Sequence, residues 1–343
     1  MTAPSPADSV AREVLGAVNS RDVLMRVSLL CERFLGARVT TRLFHRVSVG
    51  SVHGVRLSDG REVVVKLHRA FAPFRYLKAL NELQAHVADA GFPAPKPLAP
   101  PARLPNGSAT FEASLARGDP PDPDRPEHLA LMASGLAWLV ELCEPFASRA
   151  EFEPWLARRR DGLWPIPHDA RFDFVATAQG AAWIDTLARR ARALLDADPG
   201  RRVIGHHDWR REHLRVRQGR LCAVYDWDSV GRFAEPVLVA GAARTFTVDW
   251  SRVGQRQYPT LEQMHEFLDA YETARGRPFS RDERAHFRAA LVYGAAYTAR
   301  CEHSDDRTNF GRGPLAPPPD FVPTESMRAF LQEHGETLLA GED

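Results

Sequence analysis

The chain has 343 residues, a length that is enough to bury a substantial core in one large domain or two lobes. Of these residues, 44% are apolar and 26% are charged. Lys and Arg total 45 against 44 Asp and Glu, so the net charge of +1 predicts neither nucleic acid nor an anionic membrane as partner. No apolar run approaches the roughly 18 residues of a membrane span, and the first residues lack the pattern of a secretory signal. Four scattered cysteines favour reduced thiols and a cytoplasmic location.

The first third of the chain is predicted to contain helices and then a β-sheet. Apolar residues at helical spacing over 6–35 predict one or two helices, and another helical pattern spans 73–91. β-Branched runs predict strands over 42–49, 52–58, 62–69 and 109–115, the first three antiparallel. The dipeptide Asp59-Gly60 favours a two-residue hairpin turn between the second and third strands. The Pro-rich segment 91–107 excludes a helix and indicates an extended path.

The remaining two thirds are predicted to be mainly helical. A Pro- and Asp-rich linker over 116–127 divides the chain into residues 1–115 and 116–343. Beyond it, helical patterns cover 126–147, 168–197, 261–276 and 281–301, and a last helix is expected after residue 324. The exception is a predicted hairpin, in which the apolar runs LRV and LCAVY lie on either side of Gly219. An isolated hairpin in a helical region indicates a functional role, in which the hairpin positions the side chains at its two ends.

Charged and polar side chains flank that hairpin. Asp208 precedes it, His213 follows Asp208 by five residues, and Asp226 comes directly after the second strand. Because the two strands bring the chain back, these side chains are expected to converge. Kinases place a base or acceptor-orienting carboxylate before such a hairpin and a metal-binding carboxylate after it. The alternative, a solvated loop carboxylate and a turn former, is less consistent with this combined order.

The first part of the chain offers residues for binding a nucleotide. Lys66 ends an apolar run on the third predicted strand, and Glu82 lies on the helix that follows, placed to form an ion pair with Lys66. Taken singly, Lys66 reads as a solvent-facing lysine and Glu82 as an exposed helix charge. The turn that contains Ser48, Gly50 and Ser51 is a candidate cover for phosphates, although it holds one glycine and fits no glycine-rich motif.

Four segments together resemble the aminoglycoside phosphotransferase family, within the wider family of phosphotransferase enzymes. They are VVVKLHR around Lys66, NELQAHVADAGFPAPKPL from Asn81, GHHDWRREHLRV from Gly205 and AVYDWDSV from Ala223. The resemblance spans about residues 40 to 300. It implies an α+β, two-lobed protein-kinase-like fold, with a small β-rich nucleotide-binding N-terminal lobe over 1–115 and a larger helical lobe over 116–343 that holds the catalytic loop and the acceptor site.

The resemblance also implies roles for particular residues. ATP would bind in the cleft at the 113–118 connection, Asp208 would act as base or orient the acceptor, and Asp226 would bind Mg²⁺. His213 stands where the family usually has Asn. Because an imidazole nitrogen suits softer metals than Mg²⁺, His213 is predicted as a weaker metal ligand that also admits Mn²⁺. Val239 replaces the later Asp that usually stabilises the catalytic loop.

The acceptor side of the site is predicted less specifically. The resemblance places Asp228, Glu302 and Asp305 on segments that can line it, and a cationic acceptor such as an aminosugar would suit them. The alternative is that these are solvated charges at a helix end.

The sequence therefore predicts an ATP-dependent transfer of the γ-phosphoryl group to a hydroxyl of a small molecule, with an aminoglycoside or another antibiotic as the expected kind of acceptor, in a monomer or homodimer. One alternative is a catalytically impaired nucleotide-binding pseudokinase or regulatory module, which His213 would favour. A protein kinase is disfavoured, because Asp226-Trp227-Asp228 replaces D-F-G and no A-P-E follows. A purely structural helical protein would leave the ordered charged positions unexplained.

Overall fold

The structure is a computed structural model that describes residues 7–47, 49–115, 118–154, 162–167, 169, 171–197, 200–250, 257–308 and 325–341. The described residues form two compact units. One, the β-rich unit, takes in Met1–Gly118, Ser148–Trp155 and Cys222–Asp228, as far as these are described. The other, the helical unit, takes in Asp119–Ala147, Leu156–Leu221 and Ser229–Asp343 in the same sense. The predicted α+β class is confirmed.

The β-rich unit is built on a five-stranded antiparallel sheet with the strand order β1-β2-β3-β5-β4. The strands are β1 (Val39–Val47), β2 (Ser51–Leu57), β3 (Glu62–Arg69), β4 (Pro97–Leu104) and β5 (Gly107–Ala113). The helices are α1 (Ala7–Leu15), α2 (Ser20–Leu35) and α3 (Phe74–Asp89). Apolar residues of α1 and α2, such as Val14 and Val27, form one core with Val63, Val65 and Phe111 of the sheet.

The turn between β2 and β3 is longer than predicted. Leu57 N–H donates to the carbonyl of Arg61 over 2.8 Å, and Gly60 N–H donates to the carbonyl of Leu57 over 3.0 Å, so three residues separate the bonded pair. Gly60 has a φ of +88°, the left-handed conformation that a three-residue hairpin loop requires at its last position. The prediction of a two-residue turn is wrong by one residue. The Pro-rich segment contributes β4, an edge strand, where missing N–H donors are tolerated.

The helical unit contains α4 (Pro126–Leu142), α5 (Ala182–Ala197), α6 (Glu235–Thr245), α7 (Leu261–Arg275), α8 (Arg281–Thr308) and α9 (Met327–Ala340). The helix predicted over 168–197 begins only at α5. Before it, the Asp173 carboxylate accepts the backbone N–H groups of Val175 and Ala176, and Gly180 has a φ of +83°. Those turn bonds replace helical ones, so the first half of that prediction is wrong. None of the described helices is both long and apolar enough to cross a membrane.

Four short strands lie in the segment that contains Asp208, His213 and Asp226. β6 (Arg202–His206) pairs antiparallel with β9 (Val230–Ala234), a pairing that the sequence patterns did not indicate. Between them lies the predicted hairpin, formed by β7 (Leu214–Arg217) and β8 (Arg220–Val224). Its two turn residues both have positive φ, +53° at Gln218 and +69° at Gly219, as a tight two-residue turn requires. The hairpin prediction is confirmed.

Candidate active site

The β-rich unit buries a lysine among carboxylates. Lys66 lies opposite Thr110 in the pairing of β3 with β5, and its Nζ is 3.2 Å from Oε1 of Glu112 on β5. Burial alone would lower the pKa of Lys66, but the charges of Glu112, Asp228 and Asp226 outweigh it and raise that pKa. Lys66 is therefore a permanent cation within a central strand of the sheet, the kind of group that binds a phosphate oxygen.

The predicted ion pair between Lys66 and Glu82 is wrong. The Glu82 carboxylate, on the exposed side of α3, is 2.5 Å from Nη1 of Arg149. Glu112 supplies the carboxylate that was expected from Glu82, because it lies on the neighbouring strand and faces the same side of the sheet as Lys66. Glu112 lies within the strand that was predicted over 109–115. Only the register between β3 and β5 identifies it as the partner of Lys66.

The segment after β8 brings two more carboxylates into the β-rich unit. Asp226 has a φ of +59°, an uncommon conformation for a residue other than glycine and one found often at functional sites. Asp228 Oδ2 is 3.3 Å from Nδ1 of His68 and its Oδ1 is 3.9 Å from Lys66 Nζ. The hydroxyl of Tyr76 donates to the backbone carbonyl of Asp228 over 2.9 Å. Asp228, expected on the acceptor side, thus has its contacts beside Lys66, and His68 and Tyr76 were not predicted.

The predicted phosphate-covering turn is only partly described, since Ser48 lies outside the described residues. A Cβ on Gly50 would lie 2.7 Å from the backbone oxygen of Leu67, so a side chain would collide with β3. Ser51 is buried, and its hydroxyl contacts Nε2 of His45 at 2.9 Å and Nε2 of His53 at 3.0 Å. That hydroxyl has partners inside the sheet, and phosphate binding at this turn stays a prediction.

The helical unit holds Asp208 in a loop that follows β6. Trp209 is fully buried and its Nε1 donates to the carbonyl of Met132 on α4 over 3.0 Å. Arg211 N–H donates to the carbonyl of Phe246, next to the end of α6, over 2.9 Å. The loop is therefore anchored on both sides of Asp208 by groups of the same unit, which fixes the direction of its carboxylate.

Two cationic or potentially cationic groups hold that carboxylate. Asp208 Oδ2 lies 2.9 Å from Nη2 of Arg210 and 3.1 Å from Nε2 of His213, and Arg210 Nη2 is also 2.8 Å from Oε1 of Glu212. Burial raises the pKa of Asp208, but the contact with His213 and the charge of Arg210 outweigh it and hold that pKa well below its usual range. Asp208 stays ionised, and Arg210, which no sequence argument singled out, is its closest partner.

His213 is engaged by its neighbours. Its Nε2 lies 3.0 Å from Nε of Arg210, which donates to it, and 3.1 Å from Asp208 Oδ2. One nitrogen cannot accept a proton from Arg210 and donate one to Asp208 at the same time, so its tautomer selects one partner. In either form Nε2 offers no lone pair to a metal ion, and Nδ1 carries one only when Nε2–H donates to Asp208. The carboxylate of Asp226 suits a hard divalent cation, whereas an imidazole nitrogen suits softer metals better.

Glu302 and Asp305, which were expected to bind the acceptor, make contacts with other groups of the helical unit. The carboxylate of Glu302 on α8 accepts the backbone N–H groups of Met327 over 3.1 Å and Arg328 over 3.3 Å, at the start of α9. Burial raises the pKa of Glu302 to about 7. Asp305 Oδ1 is 3.5 Å from Nε of Arg171. These contacts give Glu302 and Asp305 structural partners, and their binding of an acceptor stays a prediction.

Comparison with known proteins agrees with this arrangement. The sequence profile described as "Phosphotransferase enzyme family" matches residues 51–232, more than half of the chain. The chain therefore belongs to the phosphotransferase enzyme family, and the predicted resemblance is confirmed. The match includes Lys66, Asp208 and Asp226. No curated protein matches the chain in sequence.

Solved structures share the fold at low sequence identity. An aminoglycoside phosphotransferase from Alicyclobacillus acidocaldarius is 14% identical with a TM-score of 0.56, over 91% of this chain and 94% of that one. The amicoumacin kinase hAmiN, in complex with AMP-PNP, Ca²⁺ and Ami, is 11% identical with a TM-score of 0.57, over 88% of each chain. Spectinomycin phosphotransferase APH(9)-Ia, with ADP and spectinomycin, is 12% identical with a TM-score of 0.54, over 90% and 98%. At these identities the likeness shows the kinase-like fold alone.

Proposed function

We propose that the protein is an ATP-dependent kinase that transfers the γ-phosphoryl group to a hydroxyl of a small molecule. The observation that carries the proposal is the buried Lys66, which stays charged among Glu112, Asp226 and Asp228. A structural role alone would be met more stably by apolar residues, because several charges are costly to bury together. Membership of the phosphotransferase enzyme family supports the same reading.

The β-rich unit is proposed to bind the donor. The ammonium group of Lys66 would donate to phosphate oxygens of ATP, and Glu112 would hold Lys66 in place. Relatives in the fold have been solved with AMP-PNP or ADP, in agreement with an adenine nucleotide as donor. Mg²⁺ would neutralise phosphate charge as the bond to the leaving group breaks. Asp226 and His213 are the ligands that the sequence resemblance predicts for it. Mn²⁺ would suit the imidazole better.

The helical unit is proposed to orient the acceptor. The ionised Asp208 would accept a hydrogen bond from the acceptor hydroxyl and aim its oxygen at the γ-phosphorus. The bond from that oxygen to phosphorus forms as the bond to the β–γ bridging oxygen breaks, ADP leaves with the electron pair, and the hydroxyl proton is released. A carboxylate of low pKa is a weak base, so the main contribution of Asp208 is orientation, as a loose transition state allows.

A second candidate function follows from His213. Since its Nε2 is engaged by Asp208 or by Arg210, a chain that keeps this arrangement with nucleotide present would bind ATP and transfer nothing. That would be the nucleotide-binding pseudokinase or regulatory module. An aminoglycoside or another antibiotic as acceptor stays a prediction of the sequence resemblance, and so does the cytoplasmic location.

ADP formation by the full chain tests both candidates. Nucleotide binding is measured by calorimetry with AMP-PNP and either Mg²⁺ or Mn²⁺, and turnover by ADP release with aminoglycosides, macrolides, choline, homoserine and simple sugars as acceptors. Acceptor-dependent ADP release supports the kinase. Binding of AMP-PNP without ADP release for any acceptor and either metal favours the second candidate, and absence of nucleotide binding contradicts both.

A further inference from the structure

The helical unit contains an arginine, Arg244, that has no role in the proposed phosphoryl transfer. Arg244 lies in the last turn of α6, and its Nη1 donates to Oγ1 of Thr298 on α8 over 3.0 Å. A Cβ on Gly294, one turn earlier on α8, would lie 2.8 Å from Nε of Arg244. Glycine at that position therefore makes room for the guanidinium, and Thr298 fixes its direction.

Most of the donors of Arg244 face no protein acceptor. A guanidinium has five N–H donors, and Thr298 is its one hydrogen-bond acceptor among the residues that the structure describes. Within the same described part of the chain, no carboxylate forms an ion pair with it, whereas Arg300 and Arg328 are paired with acidic residues. Burial lowers the pKa of Arg244, so its charge is held where water does not fully solvate it. Such a group binds an anion strongly.

Arg244 lies on the same side of the helical unit as the Asp208 loop. Two residues after Arg244, the carbonyl of Phe246 accepts the N–H of Arg211 over 2.9 Å. Further along the same segment, Trp250 N–H donates to Oε2 of Glu212 over 3.0 Å. The charges of Asp208 and Glu302 favour the charged form of Arg244 and oppose the effect of burial on its pKa. A molecule whose hydroxyl lies at Asp208 would therefore have another part near Arg244.

The charges around this position do not suit a cationic acceptor. Arg210 already pairs with Asp208 and Glu212, and Arg244 precedes the residue, Phe246, that the Asp208 loop contacts. Of the acidic residues expected to attract a cation in this unit, Glu302 accepts N–H groups at the start of α9 and Asp305 lies 3.5 Å from Nε of Arg171. A polycationic aminosugar would bring its ammonium groups toward two arginines, and like charges oppose binding.

We propose that Arg244 is an acceptor-binding residue and that the acceptor is an alcohol which also carries an anionic oxygen group, a carboxylate or a phosphate. The planar fork of the guanidinium matches the two oxygens of such a group, and among the described residues Thr298 takes up only the Nη1 donor. This inference rests on the proposed kinase function. It replaces the cationic acceptor that the acidic residues of the sequence suggested.

Acceptors that differ only in charge test the proposal. ADP formation by the full chain is measured with two matched sets: glycerate, glycerol 3-phosphate, glycerol and serinol, then glucuronate, glucose 6-phosphate, glucose and glucosamine. The carboxylate and phosphate members show which anion is preferred. We expect turnover with anionic members. Arg244→Met should raise their KM about 10- to 100-fold with a smaller effect on kcat, the factor expected for a lost charge-assisted hydrogen-bond pair.

Control variants separate recognition from folding. Arg190→Met removes an exposed arginine of α5 that pairs with Glu336, and it should leave the acceptor KM unchanged. Thr298→Val keeps Arg244 but removes its hydrogen-bond partner, and it should raise the KM by a smaller factor. Arg244→Glu should shift the preference toward serinol and glucosamine, which loss of a merely structural arginine would not do.

Two results would overturn the inference in distinguishable ways. If wild-type protein prefers neutral or cationic members, or if Arg244→Met leaves the KM of anionic members unchanged, the acceptor assignment is wrong while the kinase proposal stands. If no member of either set, and none of the antibiotics tested above, supports ADP formation although AMP-PNP binds, the proposed function itself is wrong, and the acceptor assignment is rejected with it.

Discussion

The clusters around Lys66 and around Asp208 use the same kinds of charge in opposite proportions. In the β-rich unit one lysine faces three carboxylates, Glu112, Asp226 and Asp228. In the helical unit one carboxylate, Asp208, is held by a guanidinium and an imidazole. An excess of carboxylates suits a polyphosphate that arrives with a divalent cation, and a carboxylate with fixed direction suits a hydroxyl. On the proposed function, we expect donor binding in one unit and acceptor orientation in the other.

Replacing Lys66 should produce the largest loss of stability. Lys66→Met leaves the buried Glu112 without its counter-ion, which costs about 3–5 kcal/mol for a broken buried pair. We expect the free energy of unfolding to fall by that amount near neutral pH and nucleotide binding to be lost. Urea unfolding and AMP-PNP calorimetry measure the two effects. Unchanged stability would show that the carboxylates do not depend on Lys66 as their counter-ion. The contrast drawn between the Lys66 and Asp208 clusters would then be wrong for the β-rich unit.

Glu302 should make the free energy of unfolding depend on pH between about 4.5 and 7, a range in which Asp208 stays ionised. The folded-state pKa of Glu302 is raised from 4.5 to about 7, so the stability that its proton contributes below pH 4.5 is lost as the pH rises through 7. Glu302→Gln removes this dependence and should be more stable than wild type by about 2–3 kcal/mol at about pH 8, with little difference near pH 4.5. Urea unfolding across that range measures it. A parallel pH profile for both proteins would show that Glu302 is not buried as a neutral acid.

Glu112 and Glu82 form a matched pair of tests for the partner of Lys66. Glu112→Gln removes the carboxylate 3.2 Å from Lys66 Nζ and should raise the KM for ATP about 10-fold, because Lys66 is no longer held toward the phosphates. Glu82→Gln breaks a pair with Arg149 at the surface and should change the KM by less than about 2-fold. Initial rates at varied ATP measure both. The reverse order of effects would restore Glu82 as the functional partner.

His213 should respond least, and in the opposite direction. His213→Asn puts an amide oxygen, a hard ligand, at this position and removes the contact of the imidazole with Asp208. We expect the kcat with Mg²⁺ to hold or to rise by up to about 10-fold, and the preference for Mn²⁺ to weaken. Rates with the two metals at fixed ATP and acceptor measure this. Abolished activity would show that the imidazole has a chemical role of its own.

Local patterns were sufficient for much of the fold. Four of the five strands of the sheet follow from β-branched runs, and α7 follows from its periodicity and from Thr260 and Gly276 at its two ends. The β7–β8 hairpin was also predicted correctly. In each of these cases the determining residues are neighbours in sequence, so a short window contains the necessary information.

The errors concern information that a short window does not contain. Glu112 is the partner of Lys66 because of the register between β3 and β5, which are far apart in sequence. Arg244 gains its place through Thr298 and Gly294 on another helix. Arg210 is the exception, since its position two residues after Asp208 was visible and only the direction of its side chain was not. Tertiary contacts decided the roles of Glu112 and Arg244.

The central claim is that Asp208 orients an acceptor hydroxyl for phosphoryl transfer, and Asp208→Asn tests it most directly. Transfer is followed by phosphorus NMR with MgATP and whichever acceptor supports ADP formation, and AMP-PNP calorimetry confirms that the variant is folded and binds nucleotide. We expect AMP-PNP binding to be retained while the transfer rate falls about 10²- to 10⁴-fold. A transfer rate within a few fold of wild type would contradict the assignment of the site.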